Sequence, residues 1–161
     1  MRVPASKLIA FEELSPLSSD LHRQQLRIVS TNGCFDLLHL GHIRCLNQAR
    51  TMGDVLVVAV NTDTSVKRLG KGSDRPLNDE NTRALQVAAL ECVDYVVLFS
   101  QDTPEEVIRR LRPQVHVKGG DYNPDTLAEK AAVEEGGGEI AFIPLLSGYS
   151  TTELLEKIRN H

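Results

Sequence analysis

Five short runs rich in β-branched residues, each followed by a stretch with helical apolar spacing, narrow the possible folds of this chain more than any other feature. The runs lie at 26–31, 55–60, 95–99, 115–117 and 140–143. Strands this short and this continuously apolar, as in Val55-Leu56-Val57-Val58-Ala59-Val60, suit a parallel sheet covered on both faces. Parallel neighbours need long crossovers, and helices are predicted over 41–51, 79–91, 104–111 and 125–135, with a last one over 151–159. Thr103-Pro104-Glu105-Glu106 reads as a capping box with proline at the first helical position, and Gly136-Gly137-Gly138 as a helix stop. The expected fold is α/β, a single Rossmann-like, doubly wound domain with a five-stranded parallel sheet over residues 26–161. Residues 1–25, with apolar positions at Leu8, Ile9, Phe11, Leu14, Leu17 and Leu21 and a break at Pro16, are expected to form a helical extension packed on it.

In such a sheet, ligands sit outside the carboxyl ends of the strands. That rule brings four polar segments, 32–42, 61–78, 118–123 and 147–152, to one edge. The first reads Asn32-Gly33-Cys34-Phe35-Asp36-Leu37-Leu38-His39-Leu40-Gly41-His42, a strand end, a glycine turn and two histidines three residues apart where a helix begins. A helix start carries unpaired N–H groups and about half a positive charge, and residues at i and i+3 share a face. With five His and eleven Gly in 161 residues, a chance H-x-G-H is expected on the order of 0.01 times. The arrangement points to phosphate.

Charge makes that site local. A formal net charge of −4 and a pI near 5.7 give no general attraction to nucleic acid or to an anionic membrane. Cys34, Cys45 and Cys92 form no C-x-x-C pair, which suits reduced thiols in a cytoplasm. No run approaches the 18 apolar residues of a membrane span, and Met1-Arg2-Val3-Pro4 leads into no apolar h-region, so a cytoplasmic, soluble chain is expected.

Each candidate has a plainer reading. His39 and His42 can be surface or helix-capping residues, or recruit Cys34 or Cys45 to a metal, although zinc needs three or four ligands in a recognisable spacing that is absent here. Ser150-Thr151-Thr152-Glu153 is a capping box whether or not its helix start also holds a polyphosphate. Lys67, Arg68, Lys71 and Arg75 are either a solvated basic loop or one that closes over an anion. Lys118-Gly119-Gly120-Asp121-Tyr122 is either a simple turn or a place of close backbone approach. Arg83 is a surface charge or a ligand contact, and Asp36 a helix cap or a substrate contact.

Together these residues resemble the cytidylyltransferase-like nucleotidyltransferases, whose signature is a G-x-F-D turn, then H-x-G-H, then an S-T-T or S-S-T helix start near the C-terminus. Gly33-Cys34-Phe35-Asp36, His39-Leu40-Gly41-His42 and Ser150-Thr151-Thr152 match in order and spacing. Within that family the chain is similar to the adenylyltransferases of ADP-heptose synthesis, through Val60-Asn61-Thr62-Asp63, Arg75-Pro76-Leu77-Asn78, Ala88-Ala89-Leu90-Glu91-Cys92-Val93-Asp94 and Val117-Lys118-Gly119-Gly120-Asp121-Tyr122. One departure is Gly148-Tyr149 before Ser150, because related cytidylyltransferases carry a basic residue a few positions earlier.

The resemblance implies transfer of an adenylyl group from ATP, with Mg²⁺ on the triphosphate and no protein metal ligand, to D-glycero-β-D-manno-heptose 1-phosphate, supplying heptose for a lipopolysaccharide core or surface glycan. It implies catalytic roles for His39, His42 and Lys118. Nucleotide contacts would come from Asn32, Gly33, Cys34, Phe35, Gly41, Asn61, Asp63, Lys71, Gly119, Ser150, Thr151 and Thr152, and sugar phosphate contacts from Asp36, Lys67, Arg68, Arg83 and Asp121. It further implies a cytoplasmic homodimer, a stand-alone enzyme served by a separate upstream sugar kinase, and no nucleic acid or membrane partner. A cytidylyltransferase acting on glycerol 3-phosphate, and a nucleotide-binding regulator without transfer, are the alternatives. Spacing does not choose the base.

Overall fold

Side chains along the central strand show why the sheet is a middle layer. All seven residues of β3 (Val55–Asn61) are buried, with Val57 and Ala59 facing one helical layer and Leu56, Val58 and Val60 the other. The computed structural model describes residues 2–70, 74–120 and 122–160. In chain order its strands are β1 (Leu8–Ile9), β2 (Ile28–Gly33), β3, β4 (Tyr95–Phe99), β5 (Val115–Gly119) and β6 (Glu139–Ile143). They form one parallel sheet in the order β1-β4-β3-β2-β5-β6.

Six strands replace the expected five. The added one is Leu8–Ile9, from the segment expected to be helical, which pairs with Val96 and Val97 of β4. A strand edge exposes unpaired N–H and C=O groups, and two residues suffice to cover part of this one. Helical apolar spacing cannot show a pairing with residues nearly 90 positions away. The rest of the segment does hold a helix, α1 (Leu14–Arg23), whose Leu14 and Leu21 pack with Ile28, Val57 and Val97 and with Val107 and Leu111 of α5 (Glu105–Leu111).

On the opposite face, α2 (Leu40–Arg50) inserts Leu46 and Ala49, and α4 (Glu80–Ala88) inserts Ala84, Val87 and Ala88, against Val29, Leu56, Val58 and Val117. Helix boundaries follow capping chemistry. Asp79, expected inside α4, is its cap and accepts from the N–H groups of Asn81 and Thr82. The 61–78 excursion is not a bare loop: Thr62 caps a further helix, α3 (Asp63–Arg68). The capping box expected at Thr103 does not form, because Pro104 takes the cap position and the Thr103 hydroxyl donates to the Glu105 carboxylate at 2.7 Å.

The helix α6 (Lys130–Glu135) is shorter than expected, because Pro124–Thr126 forms a separate 3₁₀ turn. It ends at the glycine run, where Gly138 N–H donates to Val133 O and a side chain would place Cβ 2.3 Å from Pro113 O. The last helix is α7 (Thr151–Arg159). No helix among the described residues is long and apolar enough to cross a membrane.

From β2 the chain runs outward through β3 to β4, then returns to the other side of β2 for β5 and β6. The winding reverses between β2 and β5, whose ends are in register through Thr31 and Val117. That switch point is where a doubly wound sheet opens a crevice.

Candidate functional site

Beyond the end of β2 the chain makes its turn at Cys34-Phe35-Asp36. Phe35 sits in the left-handed region with φ 49°, a conformation that a large side chain adopts only when its surroundings compensate. Its ring packs back over Gly33, where a Cβ would lie 3.0 Å from the ring, and its centroid is 5.1 Å from that of His42. A side chain at Gly33 would therefore force the ring to give way by a few tenths of an ångström. The turn delivers the chain to His39, the cap residue of α2, with no side-chain cap bond of its own.

The two imidazoles stack with centroids 3.8 Å apart. Burial lowers the His39 pKa, and the carboxylate of Glu153 offsets part of that. His39 is thus neutral near pH 7, and its buried Nδ1 has no hydrogen-bond partner among the described residues. A neutral imidazole still donates one N–H to a phosphoryl oxygen.

A second helix start faces the first. Ser150 caps α7, its Oγ accepting from Glu153 N–H at 3.1 Å, after a turn at Gly148 with φ +82°. A Cβ on Gly41 would come within 3.0 Å of both the Tyr149 carbonyl oxygen and the His39 ring. The glycine of H-x-G-H therefore lets the two helix N-termini approach each other. Between them, at the β2–β5 switch point, lies a cavity of about 680 Å³.

Of the residues selected from sequence, Asn32, Gly33, Cys34, Phe35, Asp36, His39, Gly41, His42, Gly119, Ser150, Thr151 and Thr152 line that cavity. Lys71 and Asp121 lie outside the described residues. The others are placed differently. Arg83, expected to meet substrate, is 0% exposed, and its guanidinium donates to the carbonyls of Asn78 and Cys34 and to Asp63 at 2.6–2.9 Å. Asp63 is thereby its counter-ion. Asn61 is buried beneath the turn, donating to the Ser65 hydroxyl at 3.0 Å. Arg68 turns away to Asp102 and the Ser100 carbonyl, and Lys67 is exposed on α3.

Lys118 is set behind the cavity wall. It forms a 2.6 Å ion pair with buried Glu129 and donates to Asn32 Oδ1 at 3.3 Å. Beneath it, His116 Nδ1 is 2.7 Å from the Ser30 hydroxyl. Burial, with Lys118 adding to it, pushes the His116 pKa down to about 3. Glu129 carried no motif, since its partner Lys118 lies 11 residues back on β5; Glu153 was visible only as a capping residue. The cavity is completed by the 144–149 segment; Ser147, Gly148 and Tyr149 belong to the polar stretch that the sequence places at this edge, whereas Pro144, Leu145 and Leu146 carry no chemical pattern.

Among the described residues no three His, Cys, Asp or Glu side chains gather as a metal ligand set, and Cys34 Sγ points to Asn61 Oδ1 at 3.9 Å. The arrangement gathers two helix starts, two imidazoles and hydroxyl groups around the cavity, hydrogen-bond donors whose chemistry suits an anion.

Residues 30–156 match the model of the Cytidylyltransferase-like family. A D-beta-D-heptose 1-phosphate adenylyltransferase from Bordetella bronchiseptica is 58% identical over 132 residues, covering 82% of either chain. A bifunctional protein HldE from Nitratiruptor sp. is 47% identical over 160 residues, 99% of this chain and 34% of that one, so the chain spans about a third of that relative's length. The crystal structure of a lipopolysaccharide core biosynthesis protein from Thermoplasma volcanium superposes with a TM-score of 0.63 at 26% identity, covering 78% of this chain and 99% of that one.

Proposed function

Because the chain belongs to the cytidylyltransferase-like family, we propose that it is an adenylyltransferase, joining ATP to D-glycero-β-D-manno-heptose 1-phosphate to give ADP-heptose and pyrophosphate. The observation that carries this reading is the convergence of α2 and α7, with His39 and His42 stacked on one rim and Ser150, Thr151 and Thr152 on the other. The 58% identical adenylyltransferase supports the choice of base and sugar.

In this reaction a phosphate oxygen of the sugar attacks the α-phosphorus in line. The bond from that phosphorus to the bridging oxygen breaks, and the electron pair leaves with pyrophosphate. The nucleophile is already an anion, so no general base is needed. What the protein supplies is alignment, relief of repulsion between phosphates and donors for the charge moving onto the leaving group. His39 and His42 donate to the phosphates around the reacting centre. The open N–H groups and hydroxyls of the first turn of α7 hold the β and γ end. When bound to ATP, Mg²⁺ would neutralise part of the triphosphate charge, with the nucleotide rather than a protein ligand set holding it. Lys118, fixed by Glu129, acts from behind Asn32 as a field.

A sugar kinase supplies the 1-phosphate, ADP-heptose feeds a lipopolysaccharide core or surface glycan, and the enzyme works in the cytoplasm as a homodimer. The test is a pyrophosphate-release screen crossing four nucleoside triphosphates with sugar 1-phosphates, both heptose anomers and glycerol 3-phosphate. Release confined to ATP with the β-heptose phosphate is expected. Preference for CTP and glycerol 3-phosphate, or binding without release, refutes the proposal.

A further inference from the structure

The cavity has a shortage of positive charge. Among the described residues its lining includes two carboxylates, Asp36 and Glu153, and a single Lys or Arg side chain, Arg75. His39 adds no charge near pH 7. Other basic groups near this edge are committed elsewhere, Arg68 to Asp102, Arg83 to Asp63 and Lys118 to Glu129. Both proposed substrates are polyanions.

Arg75 differs from those residues. Its Nε donates to Asp36 Oδ2 at 2.6 Å, its side chain is 12% exposed, and its two terminal nitrogens have no partner among the described residues. A guanidinium presents five N–H donors in a rigid fork, so one bond to Asp36 leaves most of the fork unused. Asp36 has not been left dependent on this arginine. Its Oδ1 also accepts from Leu77 and Asn78 N–H at 2.8 and 3.1 Å, while its carbonyl oxygen takes the Asn78 side-chain amide at 2.8 Å. With 1% of its side chain exposed, Asp36 is a clamp that holds the 75–78 segment against the turn after β2 and aims the arginine.

We propose that Arg75 binds a phosphoryl group in this cavity, and that Asp36 is its positioning residue, touching no substrate itself. The inference rests on the nucleotidyltransferase reading and names the side chain that supplies its missing cation. A fork already pinned at Nε loses little freedom when its free face pairs with phosphate oxygens, which favours binding. The phosphate belongs either to the nucleotide or to the sugar, and the two sources separate by experiment.

Calorimetric titrations of ATP and of D-glycero-β-D-manno-heptose 1-phosphate into the full chain, Arg75→Gln and Asp36→Asn provide the test. Arg75→Gln is expected to weaken one of the two ligands roughly 10- to 100-fold, the range of a charge-assisted pair, and to flatten the dependence of that affinity on salt. Loss for ATP assigns the donor phosphates, and loss for the sugar assigns the acceptor phosphate. Asp36→Asn should weaken the same ligand by a smaller factor. Unchanged affinity for both ligands in folded Arg75→Gln overturns the proposal, even if its melting temperature falls, because only a structural role then remains. Should Arg75→Gln not fold, Arg75→Lys carries the same comparison, since a point charge cannot hold Asp36 and a phosphate as a fork does. Absence of pyrophosphate release from the unaltered protein, with the Arg75 effect on binding intact, refutes the adenylyltransferase reading alone.

Discussion

Acid should destabilise this protein through His116, and the size of the effect follows from its surroundings. The ring is buried between β2, β5 and the segment leading into α6, with Ser30 at Nδ1, Glu129 4.0 Å from Nε2, and Lys118 beyond it. Burial dominates, the nearby Lys118 cation adds to it, and the pKa falls to about 3. In the unfolded chain the same imidazole titrates near 6.5. Above that pH both states are neutral and the group contributes nothing to pH dependence. Between about 6.5 and 3 the unfolded chain takes up a proton that the native state refuses, so stability falls as pH falls, by about 1.4 kcal/mol per unit. At pH 5, about 1.5 units below the unfolded value, the loss is about 2 kcal/mol. Urea unfolding at pH 7 and pH 5 measures it, with His116→Asn as the reference because Asn can still bond Ser30. Carboxylates titrate alike in both proteins and drop out of the difference. The variant should be the less stable at pH 7 and approach the parent at pH 5. Parallel pH profiles would show that His116 is charged in the native state and refute the reasoning.

Three further outcomes follow from the packing and the site. His42→Ala should lower pyrophosphate release by about 10²- to 10³-fold, the cost of one well-placed transition-state donor, with the melting temperature little changed; near-normal turnover would remove the residue from the mechanism. Gly41→Ala places a methyl group 3.0 Å from the Tyr149 carbonyl and the His39 ring, which should push α7 away from α2 and raise the KM for ATP by about tenfold; unchanged kinetics would mean that the two helix starts need not meet. Leu56→Ala, at a fully buried position of β3 packed in the helix-covered core, should cost about 2–5 kcal/mol in denaturant unfolding, and a loss below 1 kcal/mol would contradict the packing.

Most of the architecture was legible because a parallel sheet writes itself in continuous apolar runs. The strands at 55–60 and 95–99 and the helix over 151–159 reappear within a residue as β3, β4 and α7, since burial on both faces leaves few polar positions to blur their ends. Leu8–Ile9 was not legible, because a two-residue edge strand is defined by its partner rather than by its own composition. The site divides the same way. The histidines and the Ser150 helix start were found from spacing, since a helix start is a local structure with a local signature. The fates of the cations were not. Arg83, Arg68 and Arg75 look alike in sequence, yet one is wholly buried as a strut, one pairs on the surface and one lines the cavity.

The sequence by itself determined the doubly wound plan, the anion-binding turn after its first long strand and the family likeness, all of which depend on neighbours within a few residues. Only the tertiary structure decided which charges reach the cavity, that Asp36 faces Arg75, and that Gly41 makes room for the backbone at Tyr149. The physical reason is range. Capping, turn geometry and apolar periodicity act over one or two turns of chain, whereas an ion pair joins whichever opposite charges the folded sheet brings within about 3 Å, here residues 39 positions apart.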